Sequence, residues 1–542
     1  MLDCKTKRLV DAPPNCTYVA LSYVWGRFNT EYTTDNPVFP KTIQDSMEVV
    51  TQLSFRYLWV DRYCIDQNDK NDKHSQIAQM DMIYKSAALT IIAAAGEDPE
   101  YGLPGVGQTA RRPQQAVRID SLNLVQTLPH PHWSLLNSRW AKRGWAYQEG
   151  ILSHRRLIFT AEQVLWECDD MNCVEALHMP LDAMHTKDLS RYRAHIPPGS
   201  FASISPPGDA YEVVRGKVMR YICEYYEREL SFPIDAINAI HGILKTFATG
   251  LPKLHHVCGI PILWPVANRA LNDAPNAMEQ SVMRALFWYH AEPGNRRTEF
   301  PSWSWAGWQG GKLQPQLYRP EWLFNVQFYG IGISVEDANG CMHSIPPSDE
   351  MSDFLTTLEQ QASFIHLDAW TIDCEIATPS SIGPAYVARG LEFSESHHAK
   401  FVLRLHDHTN SSTEGEVATQ VSLQTSHAKI HLSSLSAAEK AESPTQGSYI
   451  GIVFVEHHKD HDMGEFGAAH VLVVEDKGEW YERVGCFHIY EGYWSRRALK
   501  QPNARPLEAI YENEAKGEPI SWNKVRGWFH DIPKKRRQIR LG

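Results

Sequence analysis

Apolar positions along the first 170 residues follow two alternating patterns. Tyr18-Val19-Ala20-Leu21-Ser22-Tyr23-Val24-Trp25 is a nearly continuous apolar run that stops at Gly26. Such a run suits a strand buried on both faces, as in a parallel sheet. Ile43, Met47, Val50 and Leu53 then recur at helical spacing, with Thr42 placed as an N-cap. Tyr57-Leu58-Trp59-Val60 predicts a second strand, closed by Asp61. Ile77, Met80, Ile83, Tyr84 and Ala87 share one stripe of a second helix, with Asp72 upstream as its cap. Leu89-Thr90-Ile91-Ile92-Ala93-Ala94 predicts a third strand. Strands alternating with helices imply right-handed crossovers and a parallel sheet. Arg156 to Phe159 and Val164 to Cys168 predict a further strand pair about a turn at Ala161-Glu162.

A Pro/Gly/Ser-rich stretch from Ile196 to Gly208 reads as a linker or long loop. Val214, Val218, Tyr221, Ile222 and Tyr225 mark an amphipathic helix. Ile237, Ile240, Leu244 and Phe247 mark another, opened by Pro233 and Asp235. Beyond Pro301 the pattern turns to strands, among them Ile450 to Val455 and Val471 to Val474, the latter followed by a Lys477-Gly478 turn and a hairpin partner, Glu479 to Val484. Between His406 and Gln446 Ser, Thr and Ala dominate, which predicts a mobile surface insertion. The organisation expected is α/β: an N-terminal three-layer parallel-sheet domain over 1–175 with its core at 18–150, a helical connecting region over 176–300, and a β-rich C-terminal region over 301–542 carrying the insertion near 406–446.

Composition narrows the classes. Hydrophobic residues make up 43% and charged residues 22%, as in an ordinary globular protein. The formal net charge of -11 argues against nucleic acid as a partner, which needs clustered Lys and Arg. The one basic cluster, Lys534, Lys535, Arg536, Arg537 and Arg540, reads as a solvated tail or as a nuclear-import signal. The ten cysteines are dispersed, with no CxxC pair, which suits reduced intracellular thiols. The most apolar stretch, Ala87 to Gly96, is too short to span a bilayer, so a soluble cytoplasmic protein is expected.

Three blocks line up in order. They are Tyr18 to Gly26, Tyr57-Leu58-Trp59-Val60-Asp61-Arg62-Tyr63-Cys64-Ile65-Asp66-Gln67 continuing to Tyr84, and Arg143-Gly144-Trp145-Ala146-Tyr147-Gln148-Glu149. Together they resemble the three signature blocks of the heterokaryon-incompatibility (HET) domain family of filamentous fungi. Leu230 to Ile243 and Pro301 to Trp308 resemble regions common in those proteins. The resemblance implies a signalling module in non-self recognition and programmed cell death, with protein partners and self-association through the HET domain. The family is distantly similar to Toll/interleukin-1 receptor (TIR) domains, so the resemblance also implies a TIR/flavodoxin-like fold. Some TIR domains hydrolyse NAD with one glutamate just after the third strand, and the comparable position here is Glu149.

Residue chemistry suggests how such a site would work. Ligands of an open α/β sheet sit beyond the carboxyl ends of its strands. Those ends carry Trp25 and Gly26, then Asp61, Cys64, Asp66 and Gln67, with Ser22 and Trp145 completing the candidate ligand-binding set. Carboxylates can hold ribose hydroxyls, an indole can stack on a nicotinamide or adenine ring, and Glu149 can support an oxocarbenium-like transition state. NAD enters only as a substrate of that alternative; no cofactor is firmly implied, and no metal site is expected. A structural reading stands beside each role. The Trp residues fill core, Asp61 and Asp66 brace a loop, Cys64 is a small buried group, and Glu149 pairs with Arg143 or Arg155.

Overall fold

The strand alternation explains the first layer of structure. In the computed structural model the described residues are 1–26, 38–169, 171–177, 200–201, 211–248, 254–263, 277–314, 327–329, 331–346, 354, 362–377, 402–405, 431–433, 448–460, 464–491 and 535–542. The first sheet and its helices run β1 (Leu2–Asp3), β2 (Arg8–Leu9), β3 (Tyr18–Ser22), α1 (Lys41–Gln52), β4 (Tyr57–Trp59), α2 (Asp61–Cys64), α3 (Lys70–Ala78), α4 (Met80–Ser86) and β5 (Leu89–Ala93). They continue through a separate hairpin of β6 (Ala116–Ile119) and β7 (Leu122–Val125), then α5 (Pro131–Leu136), α6 (Gly144–Leu152), β8 (Arg155–Phe159), β9 (Val164–Cys168) and β10 (Asn172–Val174).

Eight strands join in the order β10-β9-β8-β5-β3-β4-β1-β2. The four central ones, β8, β5, β3 and β4, are parallel, and the flanking strands are antiparallel. Counted along the chain, the parallel strands lie 2-1-3-4, a doubly wound order whose switch point falls between β3 and β5.

Odd and even residues of β3 face different helices. Val19 and Leu21 meet Ile43, Met47, Val49 and Val50 of α1 on one side. Ala20 meets Met80 and Tyr84 of α4 on the other, where Ile92 and Ile158 meet Trp140 and Ala146. Each fully buried aliphatic contributes roughly 1.5–3 kcal/mol. Four from α1 therefore hold that helix although it has no side-chain cap: it starts after Pro40. Thr42 lies inside the helix instead of capping it, and its hydroxyl accepts from Gly102 N at 3.1 Å. The single helix expected from Ile77 to Ala87 is broken at Gln79 into α3 and α4, and Asp72 lies within α3.

Two compact units are present: Met1–Pro207 with Arg228–Thr249, and Gly208–Glu227 with Gly250–Gly542. The helices of the 176–300 segment are divided between them. Helix α7 (Tyr211–Tyr226) belongs to the second, and α8 (Asn238–Ala248), entered through a 3-10 turn at Pro233–Ala236, belongs to the first.

The second unit contains small two-stranded pairings, β11 (Leu254–Val257) with β12 (Ile260–Leu263), β13 (Tyr289–Glu292) with β16 (Lys312–Gln314), and β14 (Asn295–Arg296) with β15 (Trp308–Gln309). Its large sheet holds β17 (Gln327–Tyr329), β18 (Gly332–Asp337), β19 (Met342–Ser344), β20 (Ala362–Ala377), β21 (Val402–Leu405), β22 (His431–Leu432), β23 (Ser448–Asp460), β24 (Gly464–Asp476), β25 (Tyr481–Glu491) and β26 (Lys535–Leu541). β20 pairs with β26 through one part of its length and with β23 through another, so β20, β23, β24, β25 and β26 close into a ring.

The basic cluster at the end of this unit is corrected by that ring. Lys535 to Arg540 form most of β26 and are not a solvated tail. Arg536 bonds Asp368 at 2.7 Å, Arg537 bonds Asp373 at 2.8 Å, and Arg540 grips both oxygens of Glu336 at 2.6 and 2.8 Å. The Arg540 guanidinium, with His366 assisting, holds the Glu336 carboxyl down at about 2. Lys534, and most of the predicted 406–446 insertion, lie outside the described residues; within that insertion His431–Leu432 forms β22 against β25. Among the described residues no helix is long and apolar enough to cross a membrane.

Candidate functional site

The even-numbered face of β3 carries a polar exception at the switch point. Ser22 follows Ala20 toward the α4/α6 layer and is 1% exposed. Its hydroxyl donates to the Glu149 carboxylate of α6 and accepts from Trp140 Nε1 at 2.6 Å. Tyr84 of α4 reaches the Leu21 carbonyl at 3.2 Å and hydrogen-bonds Glu149 as well. One turn on, Ser153 Oγ donates to the Glu149 carbonyl at 2.7 Å and meets Thr90 Oγ1 of β5 at 2.7 Å. A file of polar side chains therefore runs between sheet and helix, each buried member satisfied by another.

Asp61 opens α2 immediately after β4. Its carboxylate accepts from Trp25 Nε1 at 2.8 Å and from Arg62 N at 2.7 Å. Arg143, the N-cap residue of α6, donates to the Tyr23 carbonyl and acts electrostatically on both Asp61 and Glu149. Tyr23 is buried, and its hydroxyl has no hydrogen-bond partner among the described residues. Burial lifts the Asp61 carboxyl to about 7, the nearby Glu149 charge adds to the rise, and Arg143 opposes it. Burial likewise raises Glu149 above the usual carboxylate range, against the pull of Arg143 and the Ser22 and Tyr84 hydroxyls. Two carboxylates thus share one guanidinium in a site largely closed to water.

The remaining candidates are placed differently. Cys64 Sγ accepts from Val60 N at 3.3 Å, and burial pushes its thiol up. Asp66 is exposed and braces its own turn, accepting from Asn68 N at 2.9 Å. Gln67 Nε2 donates to the Ile65 carbonyl at 3.2 Å. Trp145 packs beside Trp59, Ile65 and Met80 and hydrogen-bonds Asp235. Gly26 turns the chain away from β3 with φ +61°, and a Cβ there would stand 2.6 Å from Pro99 Cδ. The structure gathers Ser22, Trp25, Asp61 and Glu149, and adds Tyr23, Tyr84, Trp140 and Arg143. Tyr84 sits in an apolar helical stripe and Trp140 in no periodic segment, so the pattern of the chain offered little sign of their polar contacts.

Helix α8 completes the layer. Gly242 N donates to Gln148 Oε1 at 2.7 Å, and Lys245 pairs with Asp81 at 3.3 Å. The residue before Glu149 is thereby pinned from outside.

These features define a doubly wound α/β domain with a closed polar cluster at its switch point. Within it, residues 18–149 match the family described as Heterokaryon incompatibility protein (HET). The match opens on the first residue of β3 and ends on Glu149, so the Ser22, Asp61 and Glu149 segments all lie inside it. No curated protein and no solved structure matches the chain.

Proposed function

We propose that the chain is a heterokaryon-incompatibility-type signalling module, acting in the cytoplasm of fungal cells in non-self recognition and programmed cell death. In this reading the first unit carries the signal and the second meets protein partners or restrains the first. The family match supports the general role. The observation that carries the non-catalytic form of it is the seat of Glu149: 2% exposed, with its carboxylate engaged by the Ser22 and Tyr84 hydroxyls. A carboxylate so enclosed is a brace between β3, α4 and α6, and a nicotinamide ribose does not reach it in this conformation.

The test is forced expression of the full chain in a filamentous fungus, with viability and protein level followed together. Wild type is expected to arrest growth. Ser22→Ala leaves Trp140 Nε1 and Glu149 each short of a partner, a loss of about 1–3 kcal/mol per group, and is expected to weaken the arrest. Normal growth at verified wild-type expression overturns the proposal. Nicotinamide release from NAD by purified wild type that disappears in Glu149→Gln would replace it with the NAD-cleaving alternative.

A further inference from the structure

We propose that Arg228–Thr249 is a coupling strap: seated on helix α6, it carries displacement of helix α7 to the cluster of Ser22, Asp61 and Glu149. This names a route by which the second unit can act on the first, and it stands whatever use the cluster has. The chain leaves the second unit after Glu227, runs through Arg228–Thr249 in the first, and returns to the second at Gly250. Both ends of the stretch are therefore covalently joined to the other unit.

The strap grips α6 at its start. Glu229 N donates to the Lys142 carbonyl at 2.6 Å, and Gly144 N donates to the Glu229 carbonyl at 2.7 Å. Arg143 stands between those two bonds, in a parallel bridge with Glu229. A Cβ on Gly144 would stand 2.5 Å from Leu230 Cδ2, so the close seat of Leu230 depends on the absent side chain. Arg228 donates to the Ala141 carbonyl and lies 4.3 Å from the centre of the Tyr147 ring. Further along, Asp235 hydrogen-bonds Trp145, and Gly242 N holds Gln148 Oε1 at 2.7 Å. The backbone on both sides of Arg143, and the residue next to Glu149, are thus held by one stretch of chain.

The other end of the route is equally fixed. Tyr226, the last residue of α7, is buried in the second unit; its hydroxyl donates to the Gly310 carbonyl at 2.9 Å and meets His290 Nε2 at 2.9 Å. Only Glu227 and Arg228 separate it from Glu229. Three backbone steps reach at most about 11 Å, so the crossing has little slack to absorb a shift of α7. The element with two arrangements is the bridge itself. Closed, it fixes Arg143, which donates to the Tyr23 carbonyl and acts on both Asp61 and Glu149. Open, it leaves that guanidinium free to move off the two carboxylates.

Hydrogen exchange of the full chain, followed by mass spectrometry, reads the coupling. Tyr226→Ala loosens the end of α7 and is expected to speed exchange across Gly144–Leu152 about tenfold, the order set by two hydrogen bonds. Glu229→Pro removes the N–H that Lys142 accepts from; α6 then exchanges faster already, and adding Tyr226→Ala is expected to change nothing more. Val471→Ala, a core truncation in β24, is expected to leave α6 as in wild type. A purely structural strap would not make α6 answer to Tyr226. Unchanged α6 exchange in Tyr226→Ala, equal acceleration in Val471→Ala, or a Tyr226→Ala effect that persists in full beside Glu229→Pro would each overturn the proposal. Retained protection of β5 and β24 shows that both units are folded. Where β24 loses it, Tyr226→Phe, which drops only the hydroxyl bonds, replaces Tyr226→Ala under the same outcomes. Where β5 loses it, Gly144→Ala, which displaces Leu230, replaces Glu229→Pro.

Discussion

Asp61 shows how far one side chain can be displaced by its seat. Its carboxyl titrates near 7 in the fold, against about 3.9 in an unfolded chain. Between those values the folded state holds a proton that the unfolded state has released. Stability contributed by this residue is therefore present at low pH, falls as pH rises through that window, and levels off above about 7. Glu149 is displaced in the same direction and adds to the slope. Asp61→Asn is expected to flatten it by on the order of 2–4 kcal/mol across the window, at about 1.4 kcal/mol per unit. Urea melts of the two proteins at matched pH values check this; parallel stability curves would show that Asp61 is not the displaced group. Taking the difference between variant and wild type removes the opposing slopes of Asp3 and Glu336, whose arginine partners lower them.

At the scale of elements, α8 is seated by a missing side chain. A Cβ on Gly242 would stand 2.3 Å from Asp81 Cβ and 2.8 Å from Gln148 Oε1. Gly242→Ala gains at most about 1 kcal/mol of helix propensity, whereas overpacking costs about 1–3 kcal/mol. With the obstacle fixed at a β-carbon, the clash wins and the melting temperature drops. Gly216→Ala in α7, where a Cβ meets nothing within 4 Å, is the control and is expected to stabilise. Equal responses would mean that α8 is not held flush against α4 and α6. Elements are also where reading the chain succeeded and failed. Val19, Leu58 and Ile91 announced parallel strands because burial on both faces needs unbroken apolar runs. The break at Gln79 was hidden because the stripe from Ile77 to Ala87 continues through it. Ser22 and Glu149 stood out as polar residues in apolar or aromatic company, but their joining through Tyr84 and Trp140 depends on tertiary packing that no local spacing encodes. Likewise, the arginines of β26 look like a free basic run until Asp368, Asp373 and Glu336 are brought beside them by strand pairing.

For the whole molecule, each of the two units has its own means of closure. The first is a layered sheet, and the second a ring completed by β26. Deleting residues 535–542 removes seven backbone register pairs with β20 together with the Arg536, Arg537 and Arg540 carboxylate pairs. The ring then opens along β20, leaving an unpaired edge. Scanning calorimetry is expected to show the second unit's transition lost or moved down by roughly 10 °C, the shift that a few kcal/mol produces, with the first unit's transition kept. Survival of both transitions would mean that β26 is dispensable.

The position of β26 along the chain has a further consequence during synthesis. Thr371 of β20 and Lys535 of β26 are bonded across 164 residues. As the polypeptide leaves the ribosome, β20, β23, β24 and β25 emerge before the strand that joins them, and their edges remain open to neighbours until β26 follows. The first unit has all its parts once Thr249 has emerged. A nascent chain stalled between these two points would thus carry a finished first unit and an unfinished second one.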